Sequence, residues 1–236
     1  MAGETIKTMG IVLDVRPWSR TSHVVSWLTP ERGPVATLIK GAVRPKSAFL
    51  GQYDLFYTCE LVYYARAKGE LHAVREVAPV ESREYLRGRF RATALASYAS
   101  YLVKEHCPHT SEASRWFAFL RDFLDGLDGV ADIERKTVSL ETAFLELAGL
   151  APDFSDADLS GETILFSIDH GRVGQGAKTL RLPSGAARLI SGEENGFTPA
   201  DISAAVRFLG LFIRYHLDMP PDIRRNTLQL GVARIV

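Results

Sequence analysis

The feature that most constrains this chain is a change of hydrophobic period near Pro79. Before it, apolar residues form short runs separated by glycine and proline; after it, they recur at three-and-four spacing. A period of two fits strands and a period of 3.6 fits helices, so one segment cannot satisfy both. The spacing predicts β structure over residues 5–80 and helices beyond. Five strands are expected, at residues 9–15 (closed by Arg16-Pro17), 22–28, 35–39, 54–64 and 71–77. Glycine and proline at 29–34 and the sequence 67–70 supply turns. Five short strands predict a small closed barrel, of which the OB type is the commonest five-stranded form.

Beyond Pro79, three helical stripes are expected. One runs from Tyr85 through Leu102 and is stopped by Pro108. The next is carried by Trp116 through Leu127 and ends at Gly126 or Gly129, and the third runs from Ile133 to Leu147, before Gly149 and Pro152. Residues 153–185 are polar and acidic at first, with extended pieces at 163–168 and 179–182. Thr198, Pro199 and Asp201 open a further helix, as cap, first-turn proline and acid three places after the cap. It should run to about Leu217. The expected class is α+β: a barrel domain at 1–80, then a mostly helical domain at 81–236 holding a small β-like insertion at 153–185.

Charge is informative only locally. The 28 cations and 28 acids cancel, but residues 1–80 carry ten cations against seven acids. The excess centres on Lys40-Gly41-Ala42-Val43-Arg44-Pro45-Lys46-Ser47, within a stretch free of acids between Glu31 and Asp54. Glycine and proline mark it as a loop after a strand. Such a loop can hold a phosphate backbone, with Lys40, Arg44 and Lys46 as contacts and Gly41 letting the backbone approach. Arg16, Arg20 and Arg32 lie in neighbouring strand ends and turns, and Arg66 and Lys68 in another turn. Composition alone does not separate this from solvated surface charge. Trp18 and Tyr53, beside turn residues, are the aromatics expected to be exposed; the other barrel aromatics are expected in the core.

Other motifs lead nowhere. Residues 171–179 imitate a nucleotide-binding loop, but Ala177 sets Lys178 one place late, and an extended segment follows where a helix is required. His106-Cys107-Pro108-His109 fits structural zinc spacing poorly and has no second cluster. Cys59 and Cys107 do not make a disulfide framework. There is no catalytic signature, no signal-peptide pattern and no apolar span, so a soluble cytoplasmic non-enzyme without cofactor is expected.

The order of parts resembles the RecO family of bacterial recombination mediators. The matching residues are Gly10-Ile11-Val12-Leu13, Arg16-Pro17, Ser22 through Thr29, Glu31-Arg32-Gly33 and, most specifically, Lys40-Gly41-Ala42-Val43-Arg44-Pro45-Lys46-Ser47. A weaker echo is Leu145 through Asp153. The resemblance implies an OB barrel, a helical domain and a DNA-binding role in recombinational repair (the RecF pathway). It implies binding of single- and double-stranded DNA, annealing of complementary strands and help in loading recombinase. The partners implied are RecR and the acidic tail of the single-stranded-DNA-binding protein, SSB. For that tail, an apolar pocket rimmed by arginine is sought among Arg115, Arg121, Trp116, Phe119, Arg135 and Lys136. Many members carry four cysteines after the Ala-Pro-Asp step, whereas residues 153–236 here contain none. No zinc is therefore expected, and Ile164, Leu165, Phe166 and Leu180 should pack that segment. An OB-type RNA-binding protein and a pure protein adaptor are the alternatives.

Overall fold

The computed structural model describes residues 4–66, 69–110, 112–217 and 219–229; Lys68 lies outside them. The chain is mixed α+β. Five strands come first: β1 (Glu4–Ser19), β2 (Ser22–Thr29), β3 (Gly33–Ile39), β4 (Thr58–Ala65) and β5 (Leu71–Glu81). Their order is β1-β2-β3-β5-β4, and β4 returns to β1, so the ring of pairings closes. All pairs are antiparallel except β3 with β5, which run parallel from Ala36↔Leu71 to Leu38↔Ala73.

Several strand boundaries differ from the sequence expectation: β1 begins at Glu4 rather than 9, β3 at Gly33 rather than 35, and β5 runs to Glu81 rather than 77. β1 does not stop at Arg16-Pro17. Its first half pairs with β4 as far as Ile11, and its second half pairs with β2 from Ile11 to Ser19. Past Val12, whose N–H and carbonyl still meet Tyr57 and Phe56, its strand neighbour is β2 alone, an edge position that tolerates proline. β4 begins at Thr58 rather than at 54. Tyr57 N–H turns back to the Asp54 carbonyl at 3.1 Å, and Phe56 takes a positive φ of 68°, which no strand accommodates.

The barrel interior is organised around Trp27, fully buried among Val12, Val25, Ile39, Cys59 and Leu61. Its indole N–H donates to Thr37 Oγ1 at 2.8 Å, satisfying the one polar atom the ring carries inside. Gly10 makes room for it: a Cβ there would stand 3.0 Å from Trp27 Cε3.

The chain forms two compact units that divide between Asp128 and Gly129. The barrel unit therefore extends past residue 80 to include α1 (Phe90–His106) and α2 (Ala113–Asp125), which pack on β1, β2 and β3. The second unit holds α3 (Ile133–Leu147), β6 (Thr163–Ser167), β7 (Arg172–Val173), β8 (Thr179–Pro183), α4 (Ser184–Ile190), α5 (Pro199–His216) and α6 (Pro221–Gln229). Its small sheet has the order β7-β6-β8. Phe154, Phe166, Phe208 and Phe212 interlock between sheet and α5, with Phe166 edge-on to Phe208 at 4.9 Å. Ile164 and Phe166 are buried as expected. Leu165 is not, because strand alternation sends it to solvent. α5 starts where its cap predicts, with Thr198 and Asp201 closing a reciprocal capping box. β7, α4 and α6 lie beyond the sequence expectation.

Candidate nucleic-acid interface

The basic segment belongs to the long loop of successive turns between β3 and β4. It is pinned down rather than free. Ala42 is buried and Phe49 packs on the barrel core. Backbone bonds link Arg44 N–H to the Gly41 carbonyl (3.2 Å) and Ser47 N–H to the Arg44 carbonyl (2.9 Å). Gly41 has φ +67°, and the Arg44 side chain lies across it: a Cβ at Gly41 would stand 3.3 Å from Arg44 Cδ and 3.4 Å from Nε. The glycine thus supplies a turn that seats Arg44, and its N–H is directed to Ser22 Oγ at 3.4 Å.

Those contacts join the loop to the β1–β2 hairpin. Val43 N–H donates to the Thr21 carbonyl at 3.4 Å, and His23 pairs with Ile39 at the adjoining strand ends. Lys40, Arg44 and Lys46 are therefore brought to the same end of the barrel as Arg16 and Arg20, and all five are exposed. Among the described residues, none of Lys40, Arg44, Lys46 and Arg20 forms an ion pair with a carboxylate. Arg16 does, its Nε lying 2.6 Å from Asp14, which Lys104 also meets at 3.2 Å. Asp54, at the far end of the loop, is neutralised by Arg87 at 3.4 Å.

Arg32 does not join this group. It sits in the β2–β3 turn, at the opposite end of β3 from Lys40, and faces Glu4 at 3.6 Å. Seven strand residues at about 3.3 Å each separate the two ends by roughly 23 Å. Arg32 instead lines a cleft of about 510 Å³ with His72, Lys104 and His109. Tyr53, expected to be exposed, is partly buried. Its hydroxyl meets His23 Nδ1 at 2.8 Å and its ring packs on Trp27, and burial pushes its pKa up to about 12. Trp18 is exposed as expected.

The helical candidates separate. On α2, Trp116 is buried, Phe119 is half-buried against Phe123, and Arg121 pairs with Asp122 at 2.8 Å. Arg115 is exposed. Arg135 belongs to the other unit, where it donates to the Glu194 carbonyl. An apolar floor with an arginine rim is found elsewhere in that second unit. Leu211, Met219 and Leu228 line a cleft of about 530 Å³ edged by Arg207, Arg214, Arg224 and Arg225. Arg224 is held inward by Glu141, at 2.6 and 2.9 Å, while Arg214 is exposed. Sequence reasoning missed this cleft because α6 was not anticipated.

Residues 171–179 do not form a phosphate cradle; Thr179 begins β8, not a helix. Nor do the donors nearby fit a thiolate metal site. Asp169 is engaged as an acceptor of the Ser167 hydroxyl (2.8 Å) and of the Lys178 and Ala177 N–H groups (both 3.0 Å). These bonds, the hydroxyl first, hold its carboxyl well below the usual range. Among the described residues, no three His, Cys, Asp or Glu side chains gather as metal ligands.

Comparison with known proteins agrees in both parts of the chain. Residues 1–83 match the model of the recombination protein O N-terminal domain, and residues 87–225 that of the C-terminal domain. The DNA repair protein RecO of Anaeromyxobacter dehalogenans (strain 2CP-C) is 29% identical over 97% of this chain and 98% of its own length. The protein of that name from Salinibacter ruber is 23% identical over 94% of this chain and 83% of its own. For the relative from Anaeromyxobacter sp. (strain K), 29% identical, the match spans 63% of this chain and 59% of the relative. With both halves matched in order, the chain belongs to the recombination protein O family.

Proposed function

We propose that the barrel is an OB-type module that binds DNA, and that the chain is a non-enzymatic mediator of recombinational repair. In this reading it anneals complementary strands and helps load recombinase onto single-stranded DNA covered by SSB. The observation that carries it is the convergence of Lys40, Arg44, Lys46 and Arg20, exposed and without ion pairs among the described residues, at one end of the barrel. Phosphate contacts of this kind position a strand without reading sequence, so binding is sequence-tolerant and salt-dependent. Membership in a family whose relatives are named DNA repair proteins supports the same reading.

The partners in this reading are RecR and the acidic tail of SSB, and the work is cytoplasmic, on the nucleoid. The arginine-edged cleft between α5 and α6 has the chemistry such a tail requires, cations around an apolar floor. The test of the DNA site is a salt titration. Each phosphate contact on a single strand contributes about 0.7 to the log–log slope of affinity against salt. Replacing Lys40, Arg44 and Lys46 together by Ala should flatten that slope by about 2. An unchanged slope and affinity would move the site off this loop.

A further inference from the structure

Trp18 stands out among the three tryptophans. It is 63% exposed, whereas Trp27 is 0% and Trp116 4% exposed. Exposing so large an apolar ring to water has no folding advantage, since nothing in its own strand needs it there. Among the described residues it makes no ring contact.

Its placement is specific. The β1–β2 register slips at this point: Pro17 pairs with His23 and Ser19 with Ser22, leaving Trp18 as the extra, unpaired residue of a bulge. Bulges re-aim side chains out of the regular alternation. Arg16 and Arg20 flank the ring, and the tip of the same hairpin is bonded to the basic loop through Thr21–Val43 and Ser22–Gly41. Val43 and Leu50 of that loop are also exposed, at 45% and 56%. A bare aromatic ring amid cations meets the two needs of an unpaired nucleotide, a surface for the base and charge for the phosphate.

We propose that Trp18 is a stacking platform for an unpaired base, and that it gives the cationic end of the barrel its preference for single-stranded over duplex DNA. This rests on the DNA-binding reading above. A duplex keeps its base faces stacked inside, so it uses the cations but not the ring. Single strands use both.

The experiment uses the full chain with oligo(dT) and a matched duplex of equal length. Trp27 and Trp116 also emit, but both are buried, so a change in emission on contact with a nucleotide base reports on Trp18. Oligo(dT) should quench that emission, and the quench should vanish in Trp18→Phe while binding persists. Trp18→Ala should weaken oligo(dT) binding about tenfold and duplex binding less than about twofold, with the salt slope unchanged. Undiminished oligo(dT) affinity in Trp18→Ala, or a quench that survives in Trp18→Phe, overturns the proposal and leaves the loop cations standing. Absence of salt-dependent binding in the parent protein overturns both.

Discussion

At the residue scale, one buried side chain ties together several segments of the barrel unit. Arg83 is a buried cation, its side chain 2% exposed. Its guanidinium donates to the Phe56 carbonyl (2.6 Å), Thr58 Oγ1 (2.8 Å), Glu81 (2.9 Å) and Asp125 (2.7 Å). It thereby ties the end of the β3–β4 loop and the start of β4 to β5 and to the end of α2. Replacing Arg83 by Met strands two buried acceptors, each worth about 1–3 kcal/mol, while the half-exposed Glu81 and Asp125 return to water. A loss of about 2–6 kcal/mol in denaturant-derived stability is expected. Arg83→Lys should recover little, because an ammonium cannot span four acceptors in a planar fork. A loss below about 0.5 kcal/mol in the Met variant would mean that the clamp is dispensable. Nothing in the sequence marks Arg83, since arginine is ordinarily exposed and, apart from Glu81 two residues away, its partners come from distant positions.

At the element scale, the basic loop was legible as cations on turn residues, because turn chemistry is local. Its anchoring was not, since Ala42, Phe49 and the bonds to Thr21 and Ser22 depend on β1–β2 folding beside it. The grouping of Arg16 and Arg20 with the loop, and the removal of Arg32 to the other end, follow from strand direction in the same way. For the acidic tail, the α2 residues looked suitable as a list, yet α2 turns Trp116 inward and Arg121 already has a carboxylate. The α5–α6 cleft, with exposed Arg214 at its rim, is the site we propose instead. A fluorescent acidic peptide ending in an aromatic residue should bind about fivefold more weakly to Arg214→Ala, the scale of one exposed charge pair. Arg121→Ala should leave binding within about twofold. The reverse ranking in an anisotropy titration would return the site to α2.

At the scale of the whole molecule, buried titratable groups define a pH window of stability. Burial pushes Cys59 and Cys107 up to about 12 from an ordinary 9.0, and Tyr53 to about 12 from 10.0. The folded protein keeps these protons where the unfolded chain releases them, so stability falls as pH rises above about 9. Burial lowers His72, helped by Arg32 and Arg66, and burial also lowers His106, against the opposing pull of Glu105. There the unfolded chain takes up protons first, so stability falls as pH drops through 6.5. Asp153, Asp158, Asp169 and Asp201, held low by hydrogen bonds, add a further loss below 3.8. Denaturation midpoints between pH 4 and 10.5 should peak between about 6.5 and 9. A midpoint that keeps rising toward pH 10 would contradict this assignment.

Local sequence signals were enough for the kinds of element and most of their positions, from the five strands of the first 81 residues to the capped start of α5. Periodicity, turn residues and caps are properties of a few adjacent residues, so they can be read from the chain in order. Which of those residues share a surface depends on how the chain folds back on itself. The closed ring brings β1, β2 and β3 ends together, gathers Lys40, Arg44 and Lys46 beside Arg20, and leaves Trp18 bare on a bulge. It also draws α1 and α2 onto the barrel. Strand pairing and helix packing join residues far apart in sequence, and that information lies in no single segment of the chain.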